Sequence, residues 1–253
     1  MPSDGLAAAV AALPVPWQGH YFDAVDSTQD EARAAARQGA AARSIFVADY
    51  QRAGRGRQGR TWLASPGVGL LASVVFRDAG PKPVPWRWTS LASVSLVEAI
   101  GDVVPALRPA IKWPNDVLLE DRKVAGILAE STWDGQQLLA VVGVGVNVRS
   151  GAGDLALVPG LAISLSVAAG HDVDRGDVLR AFVARMDYWL SRPAAELHEV
   201  WEGRLWGRGQ RLRMVDVGGE EEVVVLGAAA DGSLRVRLAD GSERRTTTGE
   251  LIV

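Results

Sequence analysis

The feature that most restricts the fold is a glycine- and arginine-rich loop at residues 51–62. Its Gly54-x-Gly56-x-x-Gly59 spacing matches the dinucleotide-binding fingerprint, which requires a helix directly after the last glycine to present backbone amides to a pyrophosphate. Here a β-forming run at residues 67–76 follows instead. The sequence therefore argues against a Rossmann domain and a nicotinamide-dependent oxidoreductase. It favours a mobile loop whose arginines close over an anion, with a solvated basic loop as the competing interpretation.

Composition excludes several classes of protein. With 253 residues, of which 48% are hydrophobic, the chain can bury a sizeable core, and a net charge of −3 argues against a protein that coats nucleic acid. No apolar run reaches the length of a membrane span, and the absence of cysteine rules out disulfides and thiolate chemistry. These properties are typical of a cytoplasmic protein that binds neither membranes nor nucleic acid.

Hydrophobic periodicity and turn residues predict a mixture of strands and helices. Strands are expected at residues 20–25, 44–49, 67–76, 117–120, 124–130 and 137–148, and helices at 28–39, 86–104, 178–190 and 194–201. Thr28-x-x-Glu31 is typical of a capping box at the start of the first helix. Asp121-Arg122 is expected to turn a hairpin between two of the strands.

The character of the sequence changes after about Gly207. Three short β-forming runs alternate there with the turn pairs Gly218-Gly219, Asp231-Gly232 and Asp240-Gly241. Such pairs predict hairpins and hence a small β-barrel packed on the main domain. We therefore divide the chain into an N-terminal tail at residues 1–19, a main domain at residues 20–206 and a barrel at residues 207–253.

Lysine is rare in this chain, in which arginine supplies most of the positive charge. Of 27 basic residues only three are lysine, namely Lys82, Lys112 and Lys123. A lysine that persists against such a bias is a candidate for a site that needs a compact ammonium group. A hairpin would bring Lys112 and Lys123 to one ligand, and two ammonium groups are unfavourable together unless an anion lies between them. We therefore expect both to bind phosphate; a simple hairpin corner at Trp113-Pro114 is the alternative.

Further polar positions are candidates for ligand contact. Asp116 is suited to a metal ion or a ribose. Two glycines inside the strand before Asn147 mark a close approach to the backbone, and Asn147 at the end of that strand would reach a metal or a phosphate. Ser27 and Thr28 stand at a strand-to-helix junction, where hydroxyl groups serve either as helix caps or as ligands of a small polar head group.

In their order and spacing these segments resemble the catalytic domain of biotin protein ligases. The most specific matches are the glycine–arginine loop, Lys112-Trp113-Pro114-Asn115-Asp116 and Lys123-x-Ala125-Gly126-Ile127-Leu128, within residues 21–147. The resemblance implies an α+β fold like that of class II aminoacyl-tRNA synthetases. In that fold a mixed, largely antiparallel sheet is backed by helices and followed by a small SH3-like β-barrel. Residues 1–19 are too few for a helix-turn-helix domain, so we expect the ligase-only form.

The resemblance also implies an activity. Biotin protein ligases activate biotin with ATP and Mg²⁺ to biotinoyl-5′-AMP and transfer biotin to a specific lysine of a biotin carboxyl carrier protein domain. We expect the same substrates, cofactor and partner here, with the chain acting as a monomer or homodimer. A lipoate or octanoyl ligase or transferase of the same fold is the nearest alternative, and a non-catalytic biotin-sensing repressor is a more distant one.

Roles follow from the resemblance residue by residue. The biotin-binding residues would be Ser27, Thr28, Gln51, Gly54, Arg55, Arg57, Trp62, Lys123, Gly126 and Leu128. The catalytic residues would be Lys123, Arg57 and Lys112. ATP would be bound by Arg57, Lys112, Asp116 and Asn147, and its magnesium ion by Asp116 and Asn147. Where the family usually has asparagine after serine–threonine this chain has Gln29, which is left without a role.

Overall fold

The computed structural model describes residues 5–78, 86–133, 137–156 and 161–252. Its main sheet has seven strands in the order β1-β2-β3-β7-β6-β5-β4. They are β1 (Gln18–Val25), β2 (Ser44–Gln51), β3 (Gly69–Asp78), β4 (Ala110–Lys112), β5 (Asp116–Leu119), β6 (Arg122–Trp133) and β7 (Leu138–Asn147). Among the pairs that these described strands form, only β1–β2 is parallel. The predicted mixed, largely antiparallel sheet is confirmed.

Seven helices lie in the described part of the chain. They are α1 (Leu6–Ala11), α2 (Thr28–Arg37), α3 (Trp86–Val103), α4 (Ala152–Leu155), α5 (Leu165–Ala169), α6 (Arg175–Leu190) and α7 (Ala194–Gly203). The predicted helices α2, α3, α6 and α7 all form, with boundaries shifted by at most a few residues. None of the helices in the described ranges is both long and apolar enough to cross a membrane.

The two faces of the main sheet bury different helices because side chains alternate along each strand. On β2, Ile45 and Val47 join the large core formed with α1, α3 and α6, whereas Phe46 between them packs in a smaller cluster with Ala32 of α2. β7 follows the same rule, since Val142 faces the large core whereas Val141 packs in the smaller cluster. The α2 face is the less covered one, and it carries the site described below.

Residues 1–19, expected to be a tail, contain a packed helix. Leu6, Ala9 and Val10 of α1 are buried in the large core, and α1 contacts α6. Nearby, Trp17 Nε1 donates to Asp187 of α6 at 2.9 Å. A helix of six residues is not stable by itself, so α1 forms because of its tertiary packing. An alanine-rich sequence gives no local signal of such packing.

The turn of the central hairpin lies one residue earlier than predicted. Glu120 and Asp121 occupy it, both with positive φ (50° and 58°), and Arg122 already belongs to β6. Positive φ at two consecutive turn residues is the geometry that matches the twist of the flanking strands. The hairpin itself was predicted, and its register pairs Leu118 with Lys123.

The C-terminal region forms a five-stranded antiparallel sheet, not the three strands predicted. Its strands are β8 (Arg211–Asp216), β9 (Gly219–Ala228), β10 (Leu234–Arg237), β11 (Glu243–Thr246) and β12 (Glu250–Ile252), in the order β11-β10-β9-β8-β12. The polar β11 and the short β12 lack the apolar alternation on which the prediction relied. Trp113 Nε1 donates to Gly232 O at 3.1 Å, which joins the two sheets. The boundary at residues 206/207 stays a prediction.

Candidate active site

A cavity of about 350 Å³ lies on the α2 face of the main sheet, beneath the glycine–arginine loop. Most of the predicted site residues form its wall, namely Ser27, Thr28, Gln51, Arg55, Arg57, Trp62, Lys112, Asp116, Lys123, Gly126 and Leu128. The predicted residues Gly54 and Asn147 are not part of this wall. One cavity therefore brings together predicted residues that lie as far apart in the sequence as Ser27 and Leu128.

The cavity has room because glycines replace side chains on this face of β6 and β7. Gly126 and Gly145 are partners in the antiparallel register. A Cβ on Gly145 would lie 2.5 Å from the indole of Trp62, and a Cβ on Gly126 would lie 3.0 Å from the same ring. The indole therefore rests on the backbone of the two strands, as the close approach predicted from the strand glycines requires.

The glycine–arginine loop returns on itself and carries Trp62 back over the sheet. Arg55 and Thr61 form an isolated bridge, and Trp62 N donates to Gly54 O at 2.9 Å. A Cβ on Gly54 would lie 2.5 Å from Trp62 O, so Gly54 shapes the loop without lining the cavity. A single 3₁₀ turn at Arg57–Gly59 precedes β3, and the prediction that no helix follows the last glycine is confirmed.

One end of the cavity is cationic. Lys123 Nζ lies 2.7 Å from Asp116 Oδ1, Lys112 Nζ lies 3.4 Å from Glu250 Oε1, and Arg60 Nη2 lies 2.7 Å from Glu250 Oε2. The two lysines thus line one cavity, as the sequence predicted. Each lysine is already paired with a carboxylate of the protein, whereas the sequence predicted a phosphate as its counter-ion.

Arg57 adds a third cation to this end. Its Nη1 donates to Asn115 Oδ1 at 2.9 Å. Burial lowers the pKa of Arg57 from its ordinary value, and the carboxylates of Asp116 and Glu250 partly offset that effect. A guanidinium stays protonated at neutral pH even so. Arg57 is therefore a partly desolvated cation, whose attraction to a phosphate is stronger than it would be in water.

Glu250 is a wall residue that sequence reasoning missed. It begins β12 of the C-terminal sheet, and with Gly249 it reaches the cavity of the main domain. Burial opposes its ionised form, but the hydrogen bonds and charges of Arg60 and Lys112 outweigh burial and hold the pKa of Glu250 below its usual range. No spacing rule links Glu250 to the motifs of the main domain, and its position follows only from how the two sheets pack.

The opposite end of the cavity is a buried hydrogen-bonding cluster. Thr28 contacts Gln51 Oε1 through its backbone N at 2.7 Å and its Oγ1 at 3.0 Å, and Thr28 Oγ1 lies 2.8 Å from Ser73 Oγ. The N-cap of α2 is Ser27, whose Oγ accepts from Gln29 N at 3.3 Å. The predicted capping box beginning at Thr28 is therefore wrong, because the Thr28 hydroxyl is engaged by Gln51 and Ser73.

Asn147 lies behind the cationic end. Its Nδ2 donates to Lys123 O at 3.4 Å and to Ile163 O at 3.3 Å, and its side chain is buried. In this position Asn147 holds the backbone at Lys123 in place. Its predicted contacts with ATP and magnesium stay a prediction. Lys82, the third lysine, lies outside the described residues.

Comparison with known proteins identifies the family. Residues 21–147 match the model of the biotin/lipoate A/B protein ligase family, which is half of the chain and includes the loop and both lysine motifs. The chain belongs to this family. The family contains ligases for two different cofactors, so the relatives and solved structures within it bear on which one applies.

Those relatives are biotin ligases. The chain is 34% identical over 220 residues to the biotin–[acetyl-CoA-carboxylase] ligase of Paracoccus denitrificans, covering 84% of this chain and 91% of that protein. It is 31% identical over 230 residues to the bifunctional ligase/repressor BirA of Bacillus subtilis, covering 88% and 70%. The structure of the Aquifex aeolicus biotin protein ligase in complex with biotin and ATP matches with a TM-score of 0.75 and 25% identity, over 92% of this chain and 96% of that one. The predicted resemblance to biotin protein ligases is confirmed.

For a member of this family, the arrangement is suited to joining a small carboxylic acid to a nucleotide. A buried polar cluster at one end would hold a head group, and the cationic end would hold phosphates. Between them an aliphatic chain would run along the Trp62 ring, which rests on a glycine floor formed by Gly126 and Gly145. A carboxylate at the tip of that chain would then meet the phosphates beside Lys123, whose ammonium lies 5.8 Å from the Trp62 ring centre.

Proposed function

We propose that the chain activates biotin with ATP to biotinoyl-5′-AMP and transfers biotin to a lysine of a biotin carboxyl carrier protein domain. The observation that carries this proposal is one cavity that joins a hydrogen-bonding cluster to a cationic end across a glycine floor. The relatives, which are named as biotin ligases, select biotin among the carboxylic acids that the family handles.

In the first step the biotin carboxylate attacks the α-phosphorus of ATP and pyrophosphate leaves. Two anions approach one another in this step, so cations near the reacting atoms lower the barrier by stabilising the charge of the transition state. Lys123 is suited to lie between the carboxylate and the α-phosphate, because its Nζ sits beside Gly126, where a Cβ would approach it to 3.4 Å. Lys112 and Arg57, on the same wall, would hold the remaining phosphate oxygens.

Magnesium is expected to enter with ATP and not to occupy a preformed cage. Within the described residues no cluster of three or more His, Cys, Asp or Glu side chains could hold a metal ion. Mg²⁺ usually takes one or two protein carboxylates together with substrate phosphates, and the buried Asp116 fits that pattern. When bound, the ion would neutralise phosphate charge at this end of the cavity.

In the second step the amine of a carrier lysine attacks the acyl carbonyl, and AMP leaves. The mixed anhydride must be shielded from water until that attack, and the loop with Trp62, which lines the cavity, would cover it. We expect the carrier amine to approach from the loop side, since the sheet backbone closes the other side.

The decisive experiment is to measure exchange of pyrophosphate into ATP with biotin, lipoate or octanoate as the acid. Exchange with biotin alone is expected, without any carrier present. The protein with ATP, Mg²⁺ and biotin should then add one biotinoyl group to a purified biotin carboxyl carrier domain, detected by mass spectrometry. Exchange with lipoate in place of biotin would transfer the assignment to a lipoate ligase.

A further inference from the structure

Gln29, for which the sequence offered no role, is buried in the wall of the cavity beside Thr28. Its Nε2 faces three acceptors: Val141 O at 3.0 Å, Glu130 Oε2 at 3.0 Å and Leu128 O at 3.3 Å. An amide nitrogen has two hydrogens to donate, whereas an amide oxygen has none. The reverse orientation of the amide would set an oxygen against three acceptors, so the orientation of Gln29 is fixed.

Glu130 is an ionised partner in this arrangement. Burial opposes its charge, but hydrogen bonds from Gln29 and Arg33 outweigh burial and hold the pKa of Glu130 below its usual range. Arg33 in turn pairs with Asp30, and Asp30 pairs with Arg55 of the glycine–arginine loop at 2.6 Å. The carboxylate of Glu130 therefore holds the Gln29 amide in one orientation at neutral pH.

The fixed amide determines which way the neighbouring hydroxyl groups donate. Gln29 Oε1 lies 3.1 Å from Ser73 Oγ and is only an acceptor, so Ser73 must donate its hydrogen to Gln29. The hydrogen of Thr28 then faces two acceptors, Gln51 Oε1 at 3.0 Å and Ser73 Oγ at 2.8 Å. Both hydroxyl hydrogens are thereby used inside the cluster.

We propose that Gln29, held by Glu130, is a positioning residue that makes the Thr28–Ser73 end of the cavity a hydrogen-bond acceptor. The hydroxyl oxygens keep lone pairs but have no hydrogen to offer, so a ligand that supplies N–H groups completes the cluster. A cyclic urea supplies two such groups, whereas a dithiolane or an alkyl chain supplies none. This inference rests on the proposed function and adds a residue that selects biotin by its ureido N–H groups.

The test is a double-mutant cycle on pyrophosphate exchange, with Gln29→Met, Ser73→Ala and the double variant. Methionine keeps the length of glutamine and removes its hydrogen bonds, and alanine removes the Ser73 hydroxyl that links Gln29 to Thr28. Each single variant should raise the KM for biotin about tenfold, the scale of one lost hydrogen bond, while the KM for ATP stays within twofold of wild type. The double variant should be no worse than either single one, because Gln29 acts through Ser73.

Gln38→Met, on an exposed glutamine at the end of the same helix, is the control and should match wild type. Additive effects of the two single variants, or an equal rise in the KM for ATP, would overturn the inference. If Gln29→Met does not fold in a thermal melt, Ser73→Ala decides alone, and a KM for biotin within twofold of wild type would overturn it. Wild-type protein without biotin-dependent exchange would instead defeat the proposed function.

Discussion

Lys123 Nζ lies 2.7 Å from Asp116 Oδ1, across the pair of strands β6 and β5. The ammonium is also within 5.8 Å of the Trp62 ring centre, and the backbone of Gly126 lies beneath it. A compact cation therefore sits in a narrow space between a carboxylate, an aromatic ring and a glycine. An incoming phosphate would compete with Asp116 for it, and this exchange of partners would place the lysine at the reacting atoms.

The first prediction is that Lys123→Arg folds normally but loses pyrophosphate exchange by roughly 10²-fold or more, the effect of removing one transition-state donor. A guanidinium is wider and planar, and in this space it would hold the carboxylate and the α-phosphate apart. Steady-state exchange and a thermal melt measure the two properties separately. Arg122→Lys, on the exposed neighbour that pairs with Glu120, is the control and should stay near wild type. Near-wild-type exchange by Lys123→Arg would show that Lys123 does not lie at the reacting atoms.

The second prediction concerns the glycine floor. Gly145→Ala should displace Trp62, because the new Cβ would lie 2.5 Å from its indole and the backbone beneath cannot retreat. We expect the KM for biotin in pyrophosphate exchange to rise more than about tenfold, the equivalent of about 1.4 kcal/mol of binding free energy. Gly101→Ala in α3 is a matched control, since its Cβ meets nothing within 4 Å and alanine favours a helix. Equal KM values for the two variants would show that Trp62 does not rest on this floor during catalysis.

The sequence predicted those parts of the fold that depend on local chemistry. Strands β2, β3 and β7 and helices α3, α6 and α7 follow from apolar periodicity, and the hairpin before Lys123 follows from its turn residues. The packed helix α1 was not predicted, because its six residues are held in place by contact with α6. The capping position of α2 was off by one, since both serine and threonine occur as helix caps and the Thr28 hydroxyl is engaged by Gln51 and Ser73 instead.

The residues of the site were likewise predicted where they belong to a local sequence motif and missed where they do not. Motif residues of the loop and of the Lys112 and Lys123 segments line the cavity as expected, because each segment carries several of them in a fixed local order. Ser73 and Glu250 were missed, since single polar residues on otherwise unremarkable strands give no local signal. Gln29 was left aside as a departure from the family pattern, although its longer side chain reaches three acceptors on β6 and β7.

The third prediction follows from the lowered pKa of Glu250, which Arg60 and Lys112 maintain against burial. A carboxylate with a lowered folded-state pKa stabilises the fold above its unfolded pKa of about 4.3, and that contribution is lost as the pH falls through the folded-state value. Glu250→Gln should therefore lower the free energy of unfolding at pH 7, by about 1 kcal/mol or less for such a partly exposed pair. As the pH falls below about 4.3 and through the lower folded-state pKa, the free energies of unfolding of the two proteins should converge. Urea unfolding between acid and neutral pH measures the free energy of unfolding of both proteins.

Glu243→Gln, from the exposed pair with Arg237, controls for the loss of one carboxylate. A pH-independent difference between Glu250→Gln and the wild type would contradict the lowered pKa of Glu250.

The fourth prediction tests whether the C-terminal sheet must dock for catalysis. Gly232 has a φ of 83°, and its Cβ would lie 2.5 Å from Trp86 of the main domain, whereas Gly241 has a φ of 86° and an open surrounding. Both alanine variants carry the same backbone strain of about 1 kcal/mol, so the difference between them isolates the contact of the C-terminal region with α3. Gly232→Ala should have the lower melting temperature and, because docking delivers Glu250 to the cavity, a changed KM for ATP in pyrophosphate exchange. Gly241→Ala should keep the wild-type KM. Identical melting temperatures and KM values for the two variants would mean that the packing of Trp86 on Gly232 contributes neither to stability nor to the site.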